Sequence, residues 1–275
     1  MSGFQEIYKE KIYSGVLGKI IGVYLGIPVE GWDYEDIKET YGEIYSYIQE
    51  KTGETLIVAD DDISGTFGFF KTVEDLNYDF SLTSKDIGNT WLNYIFENRT
   101  VLWWGGIGNS VEHTAYDNLK KGIPAPESGS IKRNGPVMAN QIGAQIFMDA
   151  YAMMCAGDPE KAVWYAGQCA RVSHDGLAVN AAEFLAALEA MAFEETRLDS
   201  LFDHCIRYAV YPDLQKLIDD VRNITAKEEN WRSVRDWIIS IMVITGIQVP
   251  ARLFQITEWF LLPSFAEEMT SSALL

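Results

Sequence analysis

Apolar residues along this chain recur mostly at three- and four-residue steps rather than at every second position, and the elements that spacing predicts are helices. The first runs over residues 4–25, with Gly15, Gly18, Gly22 and Gly26 along it. Glycines so spaced make one smooth face on which another backbone can lie close, offsetting a propensity cost of about 1 kcal/mol each. Pro28 stops this helix, and Glu30 falls in the turn beyond it. A short apolar run, 54–58, leads into Asp60-Asp61-Asp62, after which 63–76 is again helical in period. Helices are expected over 84–98 and 107–121, with Trp103-Trp104-Gly105-Gly106 as a rigid aromatic turn between them. Residues 122–136, rich in Gly, Pro and Ser, read as a long loop of the kind that often carries function. Further helices are predicted over 137–155, 158–173, 177–195, 198–208, 213–223 and 230–240. The fold class expected is all-α, a multi-helix single domain without internal repeats.

Composition narrows the partners. A chain of 275 residues, 48% apolar, closes a sizeable core. A net charge of −18 predicts no affinity for nucleic acid or anionic lipid, so a phosphate-bearing substrate would need a metal ion or local donors. Three cysteines without C-x-x-C spacing indicate neither a disulfide framework nor a thiolate zinc site, and a cytoplasmic location is expected. The polar, acidic start MSGFQEIYKE is unlike a secretory signal. Residues 12–29 are long and apolar enough for a membrane span, but Lys19 in their middle and four glycines favour a buried helix, so no membrane partner is expected.

Several polar residues could carry chemistry, each with a plainer reading beside it. Asp60, Asp61 and Asp62 stand at a helix start, where acidic residues cap free N–H groups and suit the dipole. Three in a row exceed that need, and carboxylates are hard ligands for Mg²⁺, Mn²⁺ or Ca²⁺. Glu30 is either a surface glutamate or a general base or water-holding group in its constrained turn. His174-Asp175-Gly176 and Glu112-His113 suit helix ends as well as active sites, and His204 is expected to pack.

Taken in order, these features resemble the ADP-ribosylglycohydrolase family, also called the dinitrogenase-reductase-activating glycohydrolase family. The motifs are Gly26-Ile27-Pro28-Val29-Glu30, the three aspartates, Asn134-Gly135 with Met138 and Ile142-Gly143, Gly157-Asp158-Pro159, and Ser173-His174-Asp175-Gly176. Within the family the chain is similar to bacterial members with W-W-G-G, E-H-T-A-Y and G-I-P-A-P-x-S-G-S, here residues 103–106, 112–116 and 122–130. The resemblance implies an all-α fold around two Mg²⁺ ions, and hydrolysis of a glycosidic bond at the anomeric carbon of ADP-ribose in an ADP-ribosylated protein or a small ADP-ribosyl or related ribosyl compound. It assigns Asp60, Asp61 and Asp62 as metal ligands, with Asp60 replacing the family's threonine. It makes Glu30 and Asp61 catalytic, and places Asn134, Gly135 and His174 at the substrate. Trp103, Trp104 or Tyr116 could stack on adenine or belong to the core.

The family's second metal motif, D-x-D-[TSC] on a late glycine-rich helix, is missing from the sequence after Asp213. Residues 241–275 also change composition, with only Arg252, Glu258, Glu267 and Glu268 charged. The expectation is an incomplete family domain over 1–240 and a non-family apolar tail over 241–275, a frameshift product whose alternative frame can encode the family's G-Y-x-x-Y-P-G continuation. Two functional readings follow: a Mg²⁺-dependent hydrolase in its intact form, or a truncated, non-catalytic remnant that at most binds nucleotide weakly.

Overall fold

A computed structural model describes residues 2–53, 55, 59–228 and 230–245 of the chain. Eleven of its helical elements are labelled as follows. They are α1 (Ser2–Gly26), α2 (Tyr34–Tyr41), α3 (Asp61–Phe70), α4 (Ser84–Tyr94), α5 (Val111–Lys120), α6 (Asp149–Met154), α7 (Pro159–Ala170), α8 (Gly176–Met191), α9 (Leu198–Cys205), α10 (Pro212–Thr225) and α11 (Trp231–Thr245). Single helical turns fill several connections, and no strand occurs among the described residues. The all-α expectation holds.

The centre of the fold is the α7–α8 hairpin, and its sequence explains why. Residues of α8, GLAVNAAEFLAALEAM, are apolar on nearly every side, interrupted by Asn180, Glu183 and Glu189, and so apolar a helix is stable only when largely enclosed. Ala162, Ala166 and Ala170 on α7 and Ala182, Ala186 and Ala190 on α8 are small and at most 3% exposed, so side-chain bulk does not hold the two helices apart. Phe184 and Leu188 fill the space toward α9 and neighbouring elements. Of its polar residues, Asn180 is fully used: its amide donates to Tyr208 O and accepts from Val210 and Tyr211 N–H. It ties the chain after α9 back to the core.

A second layer, α3, α4 and α6, packs against the hairpin through aromatic rings. Phe69 stacks on Trp91 with centroids 4.2 Å apart and meets Phe147 edge-on at 5.0 Å. Gly65 lies against the Phe147 ring so closely that a Cβ would collide with it. The start of α3, with its aspartates, is therefore seated on a rigid floor. The Tyr151 hydroxyl donates to Phe69 O from the other side.

Four sequence expectations need correction. The stretch 122–136 is not an open loop. It folds into the turns Glu127–Gly129 and Ile131–Asn134, with Ser128 buried and donating to Val172 O. Gly129 approaches the Ser173–His174 backbone too closely for any side chain, which is why glycine stands there. The helix expected over 137–155 is instead broken into Pro136–Ala139, Ile142–Gln145 and α6, because the Met138 and Gly143 carbonyls are taken up by local turns. His204 is exposed rather than packed. Helix α2 was hidden from periodicity by having no buried residue.

The fourth correction concerns α1. Its length matches expectation, but it is not a buried helix: Ile7, Tyr13, Leu17 and Ile21 are exposed, and among the described residues nothing lies within 4 Å of where a Cβ on Gly18, Gly22 or Gly26 would be. Only Gly15 has a close neighbour, the Met153 sulfur. Residues Gln5–Val29 have the length and hydropathy to cross a membrane. Polar contacts fasten α1 to the body: the Lys11 ammonium donates to Phe193 O at 2.6 Å and Tyr8 OH to Met153 O at 3.3 Å. Lys19 makes the most buried contact, described below. The run 54–58 and the tail beyond residue 245 fall largely or wholly outside the described residues.

Candidate active site

Asp60 is the N-cap of α3. Its backbone is extended and its Oδ1 accepts the Ile63 N–H at 3.2 Å, satisfying one of the free donors of the first turn. Asp61 and Asp62 follow as the first two helical residues. Ligating oxygens of all three lie within 4.8 Å of one another, and each residue is half-buried. Asp62 is the most perturbed. Burial, then the charges of Asp60 and Asp61, push its carboxyl up to about 7, with Lys19 opposing and Glu30 adding to the rise. Asp61 is also raised, by burial first and by Asp60 as well.

Glu30 arrives from a different part of the chain. The 3₁₀ turn Ile27–Val29, set by Pro28, ends α1 and leaves Glu30 exposed with its N–H on Ile27 O. Its carboxyl, part-shielded although the residue as a whole is exposed, is raised by that shielding first and then by the charges of Asp61 and Asp60. Glu30, Asp61 and Asp62, from two elements, are thus all raised, in each case partly by the charge of neighbouring carboxylates. Like charges held together at this cost are relieved by a cation.

The other predicted residues form a separate group. Asn134 spends its amide internally, donating to Ser128 O at 2.8 Å and accepting from Asn118 at 3.0 Å. Gly135 has φ +82°, a left-handed value that favours glycine, and leads into the turn Pro136–Ala139. His174 is 1% exposed: its Nε2 accepts the Ala144 N–H at 3.2 Å and its Nδ1 lies 2.8 Å from Ser173 Oγ. For the ring to touch substrate, one of those bonds would have to yield. Asp175 caps α8 and also accepts the Ile131 N–H at 2.9 Å, binding the 130–135 turn to the hairpin.

Glu112, which the sequence left open between a helix-end residue and an active-site one, proves to be enclosed. It is 2% exposed, accepts from Ser110 Oγ at 3.1 Å, and its carboxyl lies against Gly143, with the His174 ring beside it. A buried glutamate cannot be told from a surface one by periodicity here, since it belongs to the enclosed side of α5 along with Val111 and Ala115. Trp104 is half-buried, edge-on to His113 and Tyr116 at 5.0 and 5.5 Å, and its Nε1 donates to Thr100 O. Trp104 and Tyr116 belong to the packing, and Trp103 is 38% exposed.

An all-helical domain with three carboxylates converging at one helix start, and a fourth that feels their charge, presents the donor set of a metal-dependent hydrolase. The chain belongs to the ADP-ribosylglycohydrolase family, whose model, described as ADP-ribosylglycohydrolase, matches residues 5–267. That family comprises metal-dependent hydrolases of ADP-ribosylated substrates. The match extends past residue 241, where the composition changes. No match was found among curated proteins or among solved structures.

Proposed function

We propose that this chain is built for Mg²⁺-assisted hydrolysis of the glycosidic bond of an ADP-ribosyl or related ribosyl compound, in the cytoplasm, with Asp60, Asp61 and Asp62 as ligands. The observation that carries this reading is the convergence of the three aspartates within 4.8 Å while only Asp60 accepts a bond from a downstream helix N–H. The donors fit one hard divalent ion: all are carboxylate oxygens, they are half-buried, and they come from a rigidly seated helix start. An ion there would orient the ribose hydroxyls and the attacking water and offset charge in an oxocarbenium-like transition state.

The chain's own groups supply the remainder. Asp61 holds a ligand oxygen toward the reacting centre. Glu30, exposed beside the aspartates and raised by them, is suited to accept a proton from water as the bond breaks. Asn134 and Gly135 shape the turn that would approach the ribose and phosphates, Asp175 fastens that turn through the Ile131 N–H, and His174 holds the Ala144 N–H beside it.

A second reading is favoured by one observation, the lack of D-x-D-[TSC] in residues 213–275. Each hard ion takes about six oxygens, so a two-ion site would need donors that the aspartates alone do not supply. On that reading residues 241–275 are a frameshift product and the chain is a non-catalytic remnant. An ADP-ribose release assay with and without Mg²⁺ separates the two. Metal-dependent release that disappears in Asp61→Ala supports the hydrolase, and no release from folded protein supports the remnant. Sequencing the gene across codon 241 decides the frameshift: without G-Y-x-x-Y-P-G in the alternative frame, that part of the proposal is dead.

A further inference from the structure

Behind the aspartates lies a second acidic group that the reaction does not use. Lys19, near the middle of α1, places its ammonium 2.6 Å from Asp149 Oδ2 and 3.0 Å from Ile146 O, with both side chains only 10% exposed. Asp149, the first residue of α6, shares a hydrogen bond with Glu189 near the end of α8. Burial raises both carboxyls, Glu189 well above its ordinary range with the Asp149 charge adding to it, while Lys19 and the Glu189 hydrogen bond draw Asp149 back toward the charged form that faces the ammonium. The Ile146 carbonyl also meets Thr66 Oγ1 at 2.8 Å, and that hydroxyl lies 2.7 Å from Asp62 O. Lys19 is thus one hydrogen-bonded step from the metal-ligand helix. Its charge is felt by Asp62, yet it is ion-paired with Asp149.

A lysine in contact with one acidic group, and linked to a second only through Ile146 O and Thr66, neutralises the first at contact range and the second only weakly. We propose that Asp149 and Glu189 hold the Lys19 ammonium back from Asp62, so that the Asp60–Asp62 cluster keeps its negative charge for a divalent cation. Lys19 is a positioning residue in this scheme, and so is Asp149. The inference rests on the reading of the cluster as a divalent-cation site.

The test uses the full chain and Mn²⁺ alone, titrated by calorimetry at pH 8, with three variants: Asp149→Asn, Lys19→Met and the double variant. With Asp149 neutral, Lys19 turns to Asp62 and competes with the ion, so Asp149→Asn weakens Mn²⁺ binding about tenfold. Lys19→Met tightens it, and the double variant, which replaces the buried pair by neutral groups, recovers at least wild-type affinity. A metal-free readout runs beside it: carbodiimide cross-linking mapped by mass spectrometry joins Lys19 to Asp149 in the wild type and to the Asp60–Asp62 segment in Asp149→Asn. Failure of wild-type protein to bind Mn²⁺ sinks the metal reading, and the cross-link then decides the clamp alone. The clamp is overturned by a folded Asp149→Asn in which Lys19 forms no link to Asp60–Asp62, or by a double variant as weak in Mn²⁺ binding as Asp149→Asn.

Discussion

Two of the helices capped by aspartate, α3 and α8, use it differently. At α8 a single residue, Asp175, is sufficient: Oδ1 accepts the Gly176 N–H at 2.7 Å and Oδ2 the Ile131 N–H at 2.9 Å, while Asn140 serves Ala178. Both oxygens have protein donors, and the carboxylate is finished as a structural part. At α3 three aspartates stand where one would serve. Asp60 makes the cap, and Asp61 and Asp62 add charge that the fold opposes, to the point that Asp62 is raised to about 7. Capping satisfies donors, whereas crowding carboxylates creates a demand for a cation. The number of protein donors per oxygen distinguishes the two, and the residue type does not.

That contrast can be broken most directly at Asp62. A carboxyl raised from about 4 in the unfolded chain to about 7 in the fold binds more protons when folded across that window, so stability falls as pH rises through it. Asp62→Asn removes the ionisation. Metal-free protein should then be more stable at pH 8, by up to about 4 kcal/mol, with the gain vanishing near pH 4. Thermal melts in chelator at the two pH values read this. An Asp62→Asn variant no more stable than wild type at pH 8 would mean that the cluster is not strained by charge.

The converse change at α8 should be smaller and of opposite sign. Asp175→Ala removes a cap and leaves the Ile131 N–H without its acceptor, costing about 1–2 kcal/mol while leaving divalent-cation affinity unchanged. A change in cation affinity there would tie the two helix starts together. The smallest effect on stability is expected for Asp60→Asn, since asparagine caps as well as aspartate. Its melting temperature should stay within the shift expected for about 0.5 kcal/mol, and its cation affinity should fall, separating capping from ligation at one residue.

Much of the fold was legible because α7 carries helical periodicity, α8 is a long run of good helix formers, and both have cap residues at their starts, Asp158-Pro159 and Asp175-Gly176. The four carboxylates were legible too, since Pro28 and the run of aspartates are local signals. What periodicity could not show was who packs against whom. Helix α1 is as apolar as a core helix, yet among the described residues Gly18, Gly22 and Gly26 have no neighbour and only Gly15 meets a side chain, because burial depends on a partner that the helix's own pattern does not name. The 122–136 stretch misled for the opposite reason. Its Gly, Pro and Ser content reads as an open loop, whereas Gly129 and Ser128 are there to let the chain press against residues 172–174. The Lys19–Asp149–Glu189 group was equally hidden, since its members lie on three helices far apart in sequence.

The central claim is that the aspartates at the start of α3 form a divalent-cation site. Calorimetric titration of Mg²⁺ or Mn²⁺ into chelator-treated wild type and Asp61→Ala at pH 8 tests it without recourse to turnover. The site predicts saturable binding to wild type that weakens by ~100-fold or more in Asp61→Ala, with the fold intact by circular dichroism. Equal binding to both proteins, or none to a folded wild type, would contradict it.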